Sequence, residues 1–206
     1  MTFQTERAPW VRVLATVQRP AVKQALWESG LQADWLSEES LCLAAAAQTT
    51  LLLDVDTFTP LDLVRTLARL SASHDAAVLA LASPDNSGAT RLLALCPAVR
   101  VIAGNLDSLM SYLSAGVSPS APALRRVWLR VLAPSVPVAD PFVLVLIAAL
   151  ADAPTMESAA DRLHMARRTL FRRVHDLRQC LGIEGYEGRL SPLEHANALL
   201  EGYYRY

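Results

Sequence analysis

Between residues 11 and 116, short apolar runs alternate with helix-like segments, and this order constrains the fold more than any other feature of the chain. The runs are Val11–Val17, Ala33–Leu36, Thr50–Val55, Ala76–Ala82 and Val99–Ala103. Following them in turn are Pro20–Ser29, Glu39–Gln48, Pro60–Ser71, Gly88–Leu95 and Leu106–Leu113. A run that is apolar at successive positions fits a strand covered on both faces, and strands joined through helices pair in parallel. Five such units predict an α/β domain over residues 1–116, a flavodoxin-like doubly wound parallel sheet.

Beyond this domain the pattern changes. Five of the twelve prolines (119, 122, 134, 137 and 141) fall within Val117–Pro141, beside Ser118, Ser120 and Ser135. Residues 117–138 therefore read as a linker. Within it Leu124–Leu132 has the composition of a short helix whose Trp128 would dock onto a domain or a second subunit. Residues 139–206 read as an all-α helix-turn-helix domain. It opens with the apolar helix Pro141–Leu150, continues with a short helix from Ser158 to Leu163 that packs through Ala159, Ala160 and Leu163, and turns at His164-Met165-Ala166 into a second helix. The closing helix, Pro192–Glu201, and the tail to Tyr206 read as core closure or as a dimer contact through Tyr203, Tyr204 and Tyr206.

At about 100° per residue, Leu170, Val174, Leu177 and Leu181 fall within about 60° of arc and form one apolar stripe. Arg168, Arg172 and His175 then lie on the opposite side, with Phe171 on the flank. From Arg162 to Arg178 there are six arginines against one acid, Asp176. A solvated helix normally mixes its signs, so double-stranded DNA is the expected partner. Arg168, Arg172 and His175 are expected at base edges, where arginine can bond guanine bidentately. Arg162, Arg167, Arg173, Arg178 and the hydroxyl of Thr169 are expected to hold phosphates. Phe171 reads equally as a thymine-methyl contact or a half-buried packing residue. The competing account of the whole stretch is an arginine-rich surface helix.

The net charge of −1 conceals a division. Residues 1–120 carry eight bases and eleven acids, and 121–206 carry eleven bases and nine acids, so only the arginine stretch is strongly basic. Affinity for DNA is then expected to depend on a homodimer and steeply on salt. Cys42, Cys96 and Cys180 are odd in number and widely spaced, which fits a reducing compartment and small core residues. The opening MTFQTERAPWVR lacks the order of a signal peptide, and the longest apolar run, Phe142–Leu150, is far short of the ~20 residues of a spanning helix. A cytoplasmic location without membrane association is expected. His175 has no cysteine or histidine at ligand spacing, and no metal or other cofactor is expected.

In order and spacing, residues 10–114 resemble the receiver domain of response regulators of the NarL/LuxR class. VRVLATVQRPAVKQAL resembles the first strand and helix of that family, and TTLLLDVDTFTPLDLVRTL its third strand and following helix, which puts Asp54 at the phosphoacceptor position. The family's acid pair is replaced by Val17 and Gln18. The lysine that ends its fifth strand is missing from Val101-Ile102-Ala103, and Lys23 is the only lysine in the chain. Ser83 stands where the family has its switch hydroxyl. Clustered carboxylates are what hold Mg²⁺ beside a phosphoryl group, so the resemblance implies an atypical receiver that works without phosphate. Its role would be to dimerise or to sense another ligand or protein.

The apolar helix, short helix, arginine helix and the ending Leu181-Gly182-Ile183 are similar to the NarL/LuxR effector domain. The stretch from Ala159 to about Leu200 is also similar to the C-terminal domain of PucR-type regulators. Both resemblances imply a sequence-specific transcriptional regulator and no enzyme. Two alternatives stand beside it. One is an adaptor that binds protein and not DNA. The other is a phosphatase-like enzyme using Asp54 and Asp56, because LLLDVDTFT resembles the aspartate-x-aspartate entry of haloacid-dehalogenase-like phosphatases. That family's threonine is here Phe58, and its downstream lysine and acid pair are missing.

Overall fold

The computed structural model describes residues 10–36, 50–72, 78–114, 140–184 and 190–205. The first part follows the order β1 (Trp10–Leu14), α1 (Pro20–Glu28), β2 (Gln32–Leu36), β3 (Thr50–Asp54), a 3-10 turn at Val55–Thr57, α2 (Pro60–Ser71), β4 (Val78–Leu81), α3 (Ser87–Leu95), β5 (Val99–Ala103) and α4 (Leu106–Ser114). All four strand pairs are parallel and the order across the sheet is β2-β1-β3-β4-β5. This is the flavodoxin-like order, with its reversal point between β1 and β3. The expected helix Glu39–Gln48, the residues Ala76 and Ala77, and the linker with Leu124–Leu132 and Trp128 lie outside the described residues.

Local chemistry explains the elements. Thr59 starts α2 by accepting a hydrogen bond from the Asp62 N–H and donating its hydroxyl to the Asp62 carboxylate at 2.6 Å, and Pro60 follows where a missing N–H costs nothing. Along β3 the side chains alternate: Leu51 and Leu53 enter one core, and Leu52 enters the other. Val78 pairs with Val99 but Leu79 with Val101, so Arg100 is an extra residue that shifts the register of β5.

Four further helices follow: α5 (Phe142–Asp152), α6 (Met156–Arg162), α7 (Arg167–Cys180) and α8 (Pro192–Arg205). Residues 1–116 and 139–206, expected as two domains, contribute to one continuous core. It runs from Leu53, Leu67 and Leu92 through Leu144 and Ile147 to Leu170, Leu199 and Tyr203. The reason is α5, whose buried Val143, Leu144, Leu146, Ile147 and Leu150 face more than one neighbour, α2 on one side and α8 on another. Polar links tie the same interface. Arg65 on α2 donates to the Asp152 carboxylate at 2.8 Å, and the buried Arg91 on α3 donates to the Tyr203 carbonyl at 2.8 Å. At Gly88 a Cβ would come within 2.4 Å of the Tyr204 ring, so this close approach of α3 and α8 needs glycine.

Two expectations are settled by this packing. The last helix does not end at Glu201 but runs to Arg205, with Tyr203 fully buried and thus in the core, not on a surface open to a second subunit. Tyr206 lies outside the described residues. Cys96 is a buried residue as expected, whereas Cys180 is exposed. It lies at the last position of α7, off the apolar stripe, so its small size gives no guide to burial; Cys42 lies outside the described residues. Among the described residues no helix is long and apolar enough to cross a membrane.

A shared core predicts one cooperative transition. Trp10, Trp27 and Trp35 sit in the sheet half, so their fluorescence and the far-UV circular dichroism of all helices should trace one urea curve. Tyr203→Ala, a change in the last helix alone, should lower the unfolding free energy read from that common curve by about 3 kcal/mol or more. Gly88→Ala should lower it by about 1–3 kcal/mol through overpacking. Two separated transitions would show instead that each half folds by itself.

Candidate nucleic-acid interface

The helix-turn-helix is built from short-range interactions. Thr155 caps α6 by accepting from the Ser158 N–H at 3.1 Å, and the helix begins at Met156, two residues earlier than expected. Ala159 and Ala160 are buried, so α7 can approach closely. In the turn His164 takes a left-handed conformation, φ 51°, and the Met165 N–H reaches back to the Ala160 carbonyl at 3.0 Å. Gly182, φ 60°, closes α7 in the same manner as the Ile183 N–H donates to the Arg178 carbonyl at 2.9 Å.

On α7 the apolar stripe is where the periodicity puts it: Leu170, Val174 and Leu181 are buried and Leu177 is half-buried. Arg168, Thr169, Arg172 and His175 are exposed. Arg172 has a weak partner in Asp176 at 3.8 Å. The other expected residues are placed differently from one another. Arg162 is exposed at the end of α6. Arg167 is exposed, pairs with Glu157 and lies 5.3 Å from the Phe171 ring centre, and Phe171 itself is 39% exposed. Arg173 stacks on the ring of Phe142 at 4.6 Å, which ties α7 to α5. Arg178 is half-buried toward α8. Its charge, after burial, is the second cause that lowers the pKa of the buried His195.

The start of α7 has an unusual charge for a helix. Ala166 provides no side-chain cap, the first turn holds no acid, and Arg167 and Arg168 stand there. The positive end of the helix dipole and unsatisfied N–H groups thus meet two further positive charges. Glu157 of α6 already pairs with Arg167; a further anion at this point would meet the dipole and Arg168, as a phosphate does at other helix starts.

A second cluster lies at the C-terminal ends of the strands. Asp54 ends β3 with no exposed surface, and Arg19 of the β1–α1 loop grips it: Nε donates to Oδ2 at 2.6 Å and Nη2 pairs with Oδ1. Nη1 of the same guanidinium is 3.6 Å from Asp56. Asp56 in turn accepts from the Ser83 N–H at 3.1 Å. Val17 points to solvent, 64% exposed. Arg19 was not among the residues singled out from sequence. The sequence carries no local signal for it, because its partner lies 35 residues away. Burial raises the pKa of Asp54 above its ordinary value; the hydrogen bond and charge of Arg19 pull it back, and the charge of Asp56 adds to the rise.

No protein-family model and no curated protein matches the chain. Solved structures do. Two dimers of RcsB bound to two parallel DNAs are 16% identical, covering 96% of this chain and 100% of that one at a TM-score of 0.49. The RcsB response regulator of Salmonella typhimurium is 15% identical, covering 94% and 98% at a TM-score of 0.47. RcsB of Salmonella enterica serovar Typhimurium, bound to promoter rprA in the presence of a phosphomimetic, is 12% identical, covering 93% and 99% at a TM-score of 0.48.

The raised pKa of Asp54 sets a pH dependence. The folded chain holds this proton more readily than the unfolded one, so the contribution to stability is complete below the unfolded value of 3.8 and is lost as pH rises through the folded value. Wild-type protein should therefore gain stability relative to Asp54→Asn as pH is lowered from 7 down to the unfolded value of 3.8, measured as the difference in urea midpoints. A constant difference over this range would contradict the assignment.

Proposed function

We propose that the protein is a sequence-specific DNA-binding transcriptional regulator, acting as a homodimer on double-stranded DNA. The observation that carries this reading is the division of α7, with Leu170 and Val174 buried and Arg168, Thr169, Arg172 and His175 exposed together. In this role Arg168, Arg172 and His175 read base edges. Arg162, Arg167 and Thr169 hold phosphates, and the acid-free start of α7 receives one of them. Arg173 and Arg178 do more to fix α7 against α5 and α8 than to reach a phosphate, given the Phe142 stack and the half-buried position. A dimer would read two related half-sites at a spacing set by its geometry.

The sheet half, in this reading, works without phosphorylation. Arg19 fills the space beside Asp54 with an internal cation and occupies both carboxylate oxygens. A divalent ion and a phosphoryl donor would each have to displace it. The sheet half then serves to dimerise or to sense a ligand or protein, and shares its core with the DNA-reading helices.

The experiment is selection of bound sequences from a random DNA library, followed by anisotropy titration of the selected site. Arg168→Glu with Arg172→Glu should weaken binding 100-fold or more, on the basis of about 1–3 kcal/mol per arginine contact, with the circular dichroism unchanged. Affinity should fall steeply as salt is raised. Unchanged binding by the double variant would remove the proposal and leave the protein-binding adaptor. Beryllofluoride with Mg²⁺ should alter neither the sedimentation coefficient nor the DNA affinity; a shift in either would overturn the phosphate-independent reading.

A further inference from the structure

Beyond β2, the edge strand of the sheet, lies a groove that belongs neither to α7 nor to the Asp54 cluster. It encloses about 700 Å³ between α1 and β2, and its walls include Lys23, Gln24, Trp27, Leu31, Gln32 and Trp35. The volume is within the roughly 300–1,000 Å³ of small-molecule sites. Trp27 is 81% exposed, although an indole is among the side chains that gain most from burial. Lys23 stands one turn before Trp27 on the same face of α1 and is the only lysine in the chain. The nearest carboxylate on α1, Glu28, is bonded to the Gln24 amide at 2.8 Å and is not part of the groove wall.

We infer that this groove binds a small aromatic carboxylate. Two indoles offer flat apolar surface to a ring, the Lys23 ammonium attracts the carboxylate, and the amide of Gln32 bonds to its edge. A second copy of the chain suits the groove less well, because the wall is concave and its one charge calls for an anion that an apolar contact between copies does not supply. The groove also touches the Asp54 cluster through the chain itself: Pro20 lines it and directly follows Arg19. A ligand against the first turn of α1 therefore meets the residue next in sequence to Arg19, whose guanidinium grips Asp54. This consequence rests on the reading of the sheet half as a sensor of something other than phosphate; the groove's chemistry does not.

Isothermal titration of the full chain with 2-naphthoate and with its uncharged analogue 2-naphthalenemethanol tests the inference. The carboxylate should bind saturably at one site per chain and at least tenfold more tightly than the alcohol. Lys23→Gln should erase that preference, and Trp27→Ala should weaken both ligands at least tenfold. Both residues are exposed, so the variants should keep the wild-type circular dichroism. No saturable heat, or an unchanged preference in Lys23→Gln, would overturn the proposal. Concentration-dependent self-association that Trp27→Ala abolishes would overturn it in favour of a second copy. The Arg168→Glu, Arg172→Glu chain should bind 2-naphthoate like the wild type, so that loss of DNA binding and loss of ligand binding are read apart.

Discussion

The structure depends on one demand: α5 is apolar over most of its circumference and has to be covered on more than one side. An amphipathic helix would have needed only the small C-terminal bundle. The run from Phe142 to Leu150 instead packs against α8 and also against α2 of the sheet half. The hydrophobic gain of closing both contacts, about 25 cal/mol per Å² of apolar area removed from water, draws the two parts of the chain into one core. Arg65 with Asp152 and Arg91 with the Tyr203 carbonyl then fix how the surfaces meet. The Arg65–Asp152 pair does so by orientation, because exposed and half-exposed ion pairs contribute little to stability by themselves.

This arrangement bears on how the chain could work as a regulator. With α6 and α7 held by α5 and α8, the arginine-bearing face of α7 is directed to solvent while its leucine stripe is committed to the core. Where two domains are joined by a linker alone, relative motion is the default. Here the described residues share buried side chains across the join, so a change at α1 or at the Asp54 cluster has packed side chains, not solvent, between it and α7. The Arg19–Asp54 pair fits the same picture. A buried carboxylate is costly unless it is paired, and an arginine from the adjoining loop supplies permanently what a bound ion would supply conditionally.

Much of this was legible beforehand. Among the described residues, alternation marks the strands and helices of the sheet half, because both faces of a parallel sheet must be apolar, and counting marks the stripe of α7. Individual side chains were less legible. Arg173 and Arg178 look like Arg168 and Arg172 in a list of basic residues, but one stacks on Phe142 and the other leans toward α8. Arg19 carries no such mark in the sequence, because its partner is 35 residues away. Cysteine's small apolar character predicts burial for Cys180, which is exposed, and composition alone does not decide between core and interface for Tyr203, which is buried.

The amino-acid sequence by itself determined the elements, their order and the outward arginines, because these follow from periods of two and 3.6 residues that local chemistry enforces. Tertiary structure alone decided that the two halves share one core, that Arg19 neutralises Asp54, that Gly88 admits Tyr204, and that a groove with an exposed Trp27 opens beside β2. Each of these depends on which surfaces meet across long separations, and a hydrophobic pattern records that a face must be buried without recording against what.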